Sequence, residues 1–86
     1  MEALALSYGA SELRPSWRKN KKFAVLYHSH WIHFGDSRYE DFTQHGDEER
    51  RAAYRKRHRA ILLADGRPAY KFKSTPSFWA YHLLWT

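Results

Sequence analysis

The chain has 86 residues, no cysteine, and 15 Lys and Arg against nine Asp and Glu, a formal charge of +6. That length bounds it to one domain, able to bury roughly 60–65% of the surface its unfolded form exposes. Without thiols there are no disulfide staples or thiolate zinc sites, so packing among its aromatic side chains, 17% of the sequence, has to supply the support.

Residues 1–22 read as a basic, weakly structured N-terminal arm. The run Ala3-Leu4-Ala5-Leu6, between Glu2 and Glu12, is much shorter than a secretory core, so no signal peptide is expected. Transit-peptide character is little supported, and no stretch approaches the ~20 apolar residues of a membrane span. From Arg14 to Lys22 the arm gathers five bases, Arg14, Arg18, Lys19, Lys21 and Lys22, with no acid among them. The compartment expected from these features is reducing and non-secreted: an intracellular setting or a virion.

Residues 23–86 read as a single α+β domain, a β-hairpin packed with two helices. The segment from Lys22 to Gly35 is rich in β-branched and aromatic residues, broken at His28-Ser29, which predicts two strands and a turn. Alternation places Phe23, Val25 and Tyr27 on one face of the first strand, and Ile32 and Phe34 on one face of the second. Asp36 to His45 is polar and reads as a loop or short helical turn, with Tyr39 and Phe42 as inward anchors. Asp47 is a good N-cap, Glu48 and Glu49 suit the positive end of a helix dipole, and the helix runs to about Leu63 before Asp65-Gly66-Arg67-Pro68 stops it. Tyr70 to Lys73 reads as a short edge strand or extended connector. Ser74 or Thr75 with Pro76 opens a final, largely apolar helix.

The charge pattern of the central helix is the strongest functional signal. Asp36 to Glu49 holds six acids and one base, whereas Arg50 to Arg59 holds six bases and no acid. At 100° per residue Ala53, Tyr54, Arg57, Ala60, Ile61 and Ala64 form a thin apolar stripe, and Arg51, Arg55 and Arg59, with Lys56 beside them, form a row on the other side. Asp47 and Glu48 are spaced to pair with Arg51; Arg55 and Arg59 have no acid one turn earlier. An unpaired row of like charges costs a few tenths of a kcal/mol per pair, which points to an external anion.

Two metal-dependent readings are open to the sequence. His28, His30 and His33 are a histidine cluster, but His28 and His30 flank the turn and His33 falls on the opposite face from His30, so hairpin histidines without a metal are the simpler reading. A nuclease would join His33 or His45 to Asp36, Asp41 or Glu49 around a divalent ion. The residue types are present without a recognised spacing, and there is no HExxH, glycine-rich phosphate cradle or nucleophile elbow. No catalytic residue, metal or cofactor is assigned, and no small-molecule substrate is expected.

Taken together, HFGDSRYEDFTQH, DEERRAAYRKRH and TPSFWAYHLLW resemble a family of uncharacterised small proteins encoded chiefly by large double-stranded DNA viruses of algae and protists, and by some phages. The pattern covers residues 22–86, at His33, Phe34, Gly35, Tyr39, Asp41, Phe42, His45, Asp47, Glu49, Arg50, Tyr54, Arg57, His58, Trp79 and Trp85. The resemblance implies a viral context and no catalytic residue.

The leading expectation is therefore a non-enzymatic, basic structural component of a virion or other large assembly, a minor capsid or cement-like protein bridging larger subunits. Its core would use Phe23, Val25, Ile32, Phe34, Tyr39, Phe42, Tyr54, Ile61, Phe78, Trp79, Leu83 and Trp85. Arg14 to Lys22 and the row Arg51, Arg55, Arg59 would dock on an acidic protein partner, with Arg57 and His58 turned toward Asp36 or Asp41. The alternative is a nucleic-acid-binding module using the same row, with Trp17, Trp31 and Tyr54 as interleaved aromatics; the third is the nuclease.

Overall fold

A computed structural model describes residues 1–86. The order of elements is α1 (Glu2–Ser7), β1 (Glu12–Pro15), β2 (Lys21–Tyr27), β3 (His30–Asp36), α2 (Phe42–His45), α3 (Glu48–Arg59), a 3-10 turn (Ala69–Lys71) and α4 (Pro76–Trp79), which continues as a π-helical segment (Ala80–Leu84). The architecture is α+β, a three-stranded antiparallel sheet of order β1-β2-β3 with helices on one face.

The hairpin forms where the sequence predicts it. Tyr27 pairs with His30, and the two residues between, His28 and Ser29, both have positive φ, 48° and 65°, the signature of a type I′ turn. The segment before it departs from the expectation. Residues 1–22 are not a loose arm: they hold α1 and β1, and β1 adds a third strand by pairing Leu13 with Val25 and Arg14 with Ala24. Main-chain hydrogen bonds make this strand, since ELRP has little apolar alternation of its own. Ala5, on the inner side of α1, is fully buried in the core, which fastens the N-terminal segment to it.

One face of the sheet carries the core. Val25, Ile32 and Phe34 meet Phe78, Trp79, Leu83, Leu84 and Trp85, with Phe23, Phe42 and Tyr54 packed at the margin. The last helix works as expected: the Thr75 hydroxyl accepts from the Phe78 N–H, Pro76 takes the first turn, and its side chains are buried nearly all round. Two expected core residues are instead exposed, Tyr39 at 66% and Ile61 at 45%. Ile61 lies beyond the helix, which ends at Arg59, while Tyr39 sits in the loop after β3. Tyr70 to Lys73 forms a 3-10 turn in place of a strand.

Asp41 organises the crossing from β3 into the helices. It caps α2 by accepting from the Thr43 N–H at 2.9 Å, while the Gln44 side chain accepts from the Asp41 N–H at 2.9 Å, a complete capping box. Its other carboxylate oxygen holds the Lys22 ammonium at 2.7 Å, so the loop is tied to β2 by an ion pair with only 12% and 4% of the two side chains exposed.

Candidate nucleic-acid interface

The Arg row does not form a free outer face. The side of α3 that turns inward carries Arg51, Tyr54, Arg55 and His58, all partly buried, rotated by roughly one residue step from the predicted stripe. What receives it is aromatic. The Tyr54 ring stacks on Trp85 at 4.1 Å and on His58 at 3.8 Å, and Tyr81 lies 4.2 Å from the Arg55 guanidinium. Arg55 also donates to the Trp85 carbonyl at 3.0 Å. Arg51 lies 5.1 Å over Phe42 and pairs with Glu48 at 3.0 Å. A flat, weakly hydrated guanidinium packs against rings as an apolar side chain would, so Arg55 binds the C-terminal aromatic layer and Arg51 the Phe42 ring of α2. Arg50, Lys56, Arg57 and Arg59 take the exposed side.

The loop acids find other partners than those expected. Asp36 accepts from the Arg38 guanidinium at 3.0 and 2.8 Å, which lowers its pKa to about 2, and Asp41 is held by Lys22. Arg57 and His58 line the same cleft as Asp36 and Asp41 without pairing with either. His58 approaches the Ser77 hydroxyl at 3.4 Å, and burial, then Arg57, pushes its pKa down. The residues weighed for a metal are dispersed: no three His, Asp or Glu side chains gather in a metal-holding arrangement. His45 accepts from the Asp47 N–H at 2.9 Å and leans on Trp85, while Asp47 caps α3 through the Glu49 and Arg50 N–H groups.

The second face of the sheet is where the cations of the N-terminal segment and the aromatics meet. Alternation puts Trp31 and His33 there, opposite Ile32 and Phe34, in rows Glu12–Leu26–Trp31 and Arg14–Ala24–His33. The β1–β2 connection folds back across this face. Trp17 reaches Trp31 at 5.0 Å and His33 at 4.6 Å, each edge to face, while 60% of Trp17 stays open to solvent. That crossing explains how Ala24, on a face without helices, is fully buried. The Ser16 hydroxyl and the His33 Nδ1 are 2.8 Å apart, and Ser16 also accepts from the Arg18 N–H, so the connection is pinned at its base.

The same face is strongly positive. The Arg14 guanidinium lies 5.7 Å over the Trp31 ring while pairing with Glu12 at 2.6 Å. Burial lowers the His33 pKa, and the charges of Arg18 and Lys21 lower it further. Arg18 and Lys19, which follow Trp17 in the connection, form no ion pair. An exposed indole, a second tryptophan and a group of free cations thus share one surface around Trp17.

This surface lies within a stretch that matches a known family model. A model described as a family of unknown function, DUF5754, matches residues 11–58, more than half of the chain. The chain belongs to that family. The matched DUF5754 segment contains the whole sheet, α2 and nearly all of α3. It begins before residue 22, where the resemblance seen in the sequence starts, and it leaves the closing Trp79 to Trp85 motif outside. No curated protein and no solved structure matches the chain.

Of the residues proposed from sequence, Arg14 lies on the DUF5754 sheet face and Arg18 and Lys19 follow Trp17 in the connection that crosses it, whereas Lys21 lines the cleft beside α3, Arg51 and Arg55 leave the candidate set and Lys22 is consumed by Asp41. The part of the site that sequence reading did not place is His33 and the Trp17–Trp31 contact. Its signal was the alternation of Trp31 and His33 against Ile32 and Phe34, which puts them on the face away from the core.

Proposed function

We propose that this DUF5754 protein is a non-enzymatic module that binds single-stranded nucleic acid on the sheet face that Trp17 crosses. The observation that carries the reading is Trp17, largely exposed, lying across Trp31 and His33 with Arg18 and Lys19 unpaired beside it. Unpaired bases stack on exposed aromatic rings, and free Lys and Arg track the phosphates between them. Duplex bases are already stacked, so a single strand suits this surface better. Arg14 is a weaker phosphate contact, because Glu12 competes for it, although an exposed pair of this kind costs little to open.

In the viral setting implied by the sequence resemblance, such a module serves in genome packaging or processing. The alternative expectation, a bridge to an acidic protein in a virion, draws on the same N-terminal cations but has its second contact in the Arg row, whose Arg55 packs against Trp85 and Tyr81 and whose Arg51 lies over Phe42. An acidic protein face would engage the cations without requiring the indole.

The test is titration of the protein with a fluorescein-labelled oligothymidine, followed by anisotropy and by quenching of tryptophan emission. Binding accompanied by quenching is expected, and Trp17→Ala should weaken it about 10- to 100-fold, the scale of one lost base stack. No binding at low salt, or binding unaffected by Trp17→Ala, would rule the reading out.

A further inference from the structure

A cleft of about 650 Å³ opens between the loop after β3, the exposed side of α3 and the start of α4, on the opposite side of β3 from the tryptophan face. Its size falls in the range of small-molecule sites. Gly35 forms part of its floor: with φ at +79°, a Cβ there would come within 2.8 Å of the Leu84 side chain, so the chain wall is as close as it can be. Tyr54 and Trp85 form an aromatic wall, and Ala53 leaves an opening between Arg50 and Arg57 on α3.

The charges lining this cleft do not cancel. Two of its three acids are already satisfied, Asp36 by Arg38 and Asp41 by Lys22. Arg50, Arg57 and Lys21 form no ion pair, and Glu40 is the one lining acid likewise without a partner. Three free cations therefore face one free carboxylate. Seven residues apart on α3, Arg50 and Arg57 are rooted roughly 10 Å from each other, and their long side chains can converge over Ala53. The Ser77 hydroxyl adds a neutral donor, and the Tyr39 ring, 66% exposed, stands at the rim.

We propose that this cleft binds a small phosphate monoester of nucleotide size. Two guanidinium forks and an ammonium complement a phosphate dianion, with charge-assisted and bidentate hydrogen bonds. The volume beyond the phosphate, bordered by the Tyr39 ring, accommodates a planar body of the size of a nucleoside. The assignment departs from the sequence reading, which expected no small molecule, because the sequence does not reveal that Asp36 and Asp41 are neutralised by other residues. It is independent of binding on the sheet face.

Adenosine 5′-monophosphate is a suitable probe, titrated against the full chain with calorimetry and with amide resonances of Gly35 and Ala53 as local reporters. Binding of the monophosphate, with adenosine at least tenfold weaker, is expected. Arg50→Gln combined with Arg57→Gln should weaken it at least tenfold, as should Ala53→Leu, which fills the opening without removing charge; Arg67→Gln, which removes a charge elsewhere, should leave it unchanged. A 5′-phosphorylated oligonucleotide that binds more tightly than its 5′-hydroxyl form, by the factor the double variant removes, would identify the source as a strand end. Equal affinities would identify a free nucleotide. No binding at millimolar monophosphate, equal binding of adenosine, or indifference to both variants would overturn the proposal.

Discussion

Asp41 concentrates three tasks in one buried carboxylate: capping α2, orienting Thr43, and holding Lys22 of β2. Removing one partner of a buried ion pair leaves the other charge uncompensated, at a typical cost of several kcal/mol. Lys22 retains a path to water, which relieves part of that cost. Asp41→Ala should accordingly destabilise the protein by about 3 kcal/mol in urea unfolding, the loss of the cap included. A loss below about 1 kcal/mol would mean that the pair contributes little beyond the cap. Arg55 is the second residue whose role is set by its surroundings. Its carbonyl and ring partners lie 26 to 30 positions away in sequence, so no inspection of α3 alone reveals them. Tyr39 illustrates the converse: an aromatic in a polar loop looks like an anchor, yet here the anchor is the charged Asp41 two residues later.

Among the elements, the hairpin was legible because its residues favour strands and its centre has little apolar character. The turn itself is imperfect. Ser29 is poorly suited to its positive φ, and an L residue in that region carries a cost of roughly 1–2 kcal/mol relative to glycine. Ser29→Gly should stabilise the fold by about 0.5–1 kcal/mol after the added flexibility of the unfolded chain is deducted. Chemical denaturation checks this, and destabilisation would show that the Ser29 side chain is needed. Strand β1 was not legible: four residues ending in Pro15 carry no strand signature, and their pairing depends on the edge that β2 presents. Helix α3 was legible in its caps and its length to within a turn, but not in its rotation. Its apolar stripe is too thin to compete with an aromatic layer that accepts Tyr54, His58 and two guanidiniums together.

Over the whole molecule, aromatic packing also draws histidines out of water. His33, His58 and His82 all have pKa values below the ordinary histidine value, with burial the first cause in each case. Such groups bind protons more readily unfolded than folded, so their contribution is complete above about pH 6.5 and is lost as pH falls through the depressed folded values. Asp36 adds a second loss at lower pH, since its Arg38 partnership holds its pKa at about 2. The urea midpoint should be highest near pH 7–8 and should fall steadily below about pH 6.5. A midpoint unchanged between pH 7.5 and pH 5 would contradict this account of the histidines.

The molecule also divides its arginines and lysines by use. Arg51, Arg55 and Lys22 are engaged internally, Arg50 and Arg57 line the cleft, and Arg18 and Lys19 stand free beside Trp17. The proposed function requires that the last group, and not the row on α3, meets the nucleic acid. Salt-dependent anisotropy of one labelled oligothymidine decides it, comparing Arg18→Glu with Lys19→Glu against Arg51→Gln with Arg55→Gln. The sheet-face pair should lose binding, and the parent should show log K falling with log salt at a slope of about −2 for three phosphate contacts. The α3 pair should bind like the parent while unfolding at lower urea. Lost binding in a folded α3 pair, with the Arg18 and Lys19 pair unaffected, would contradict the assignment of the site.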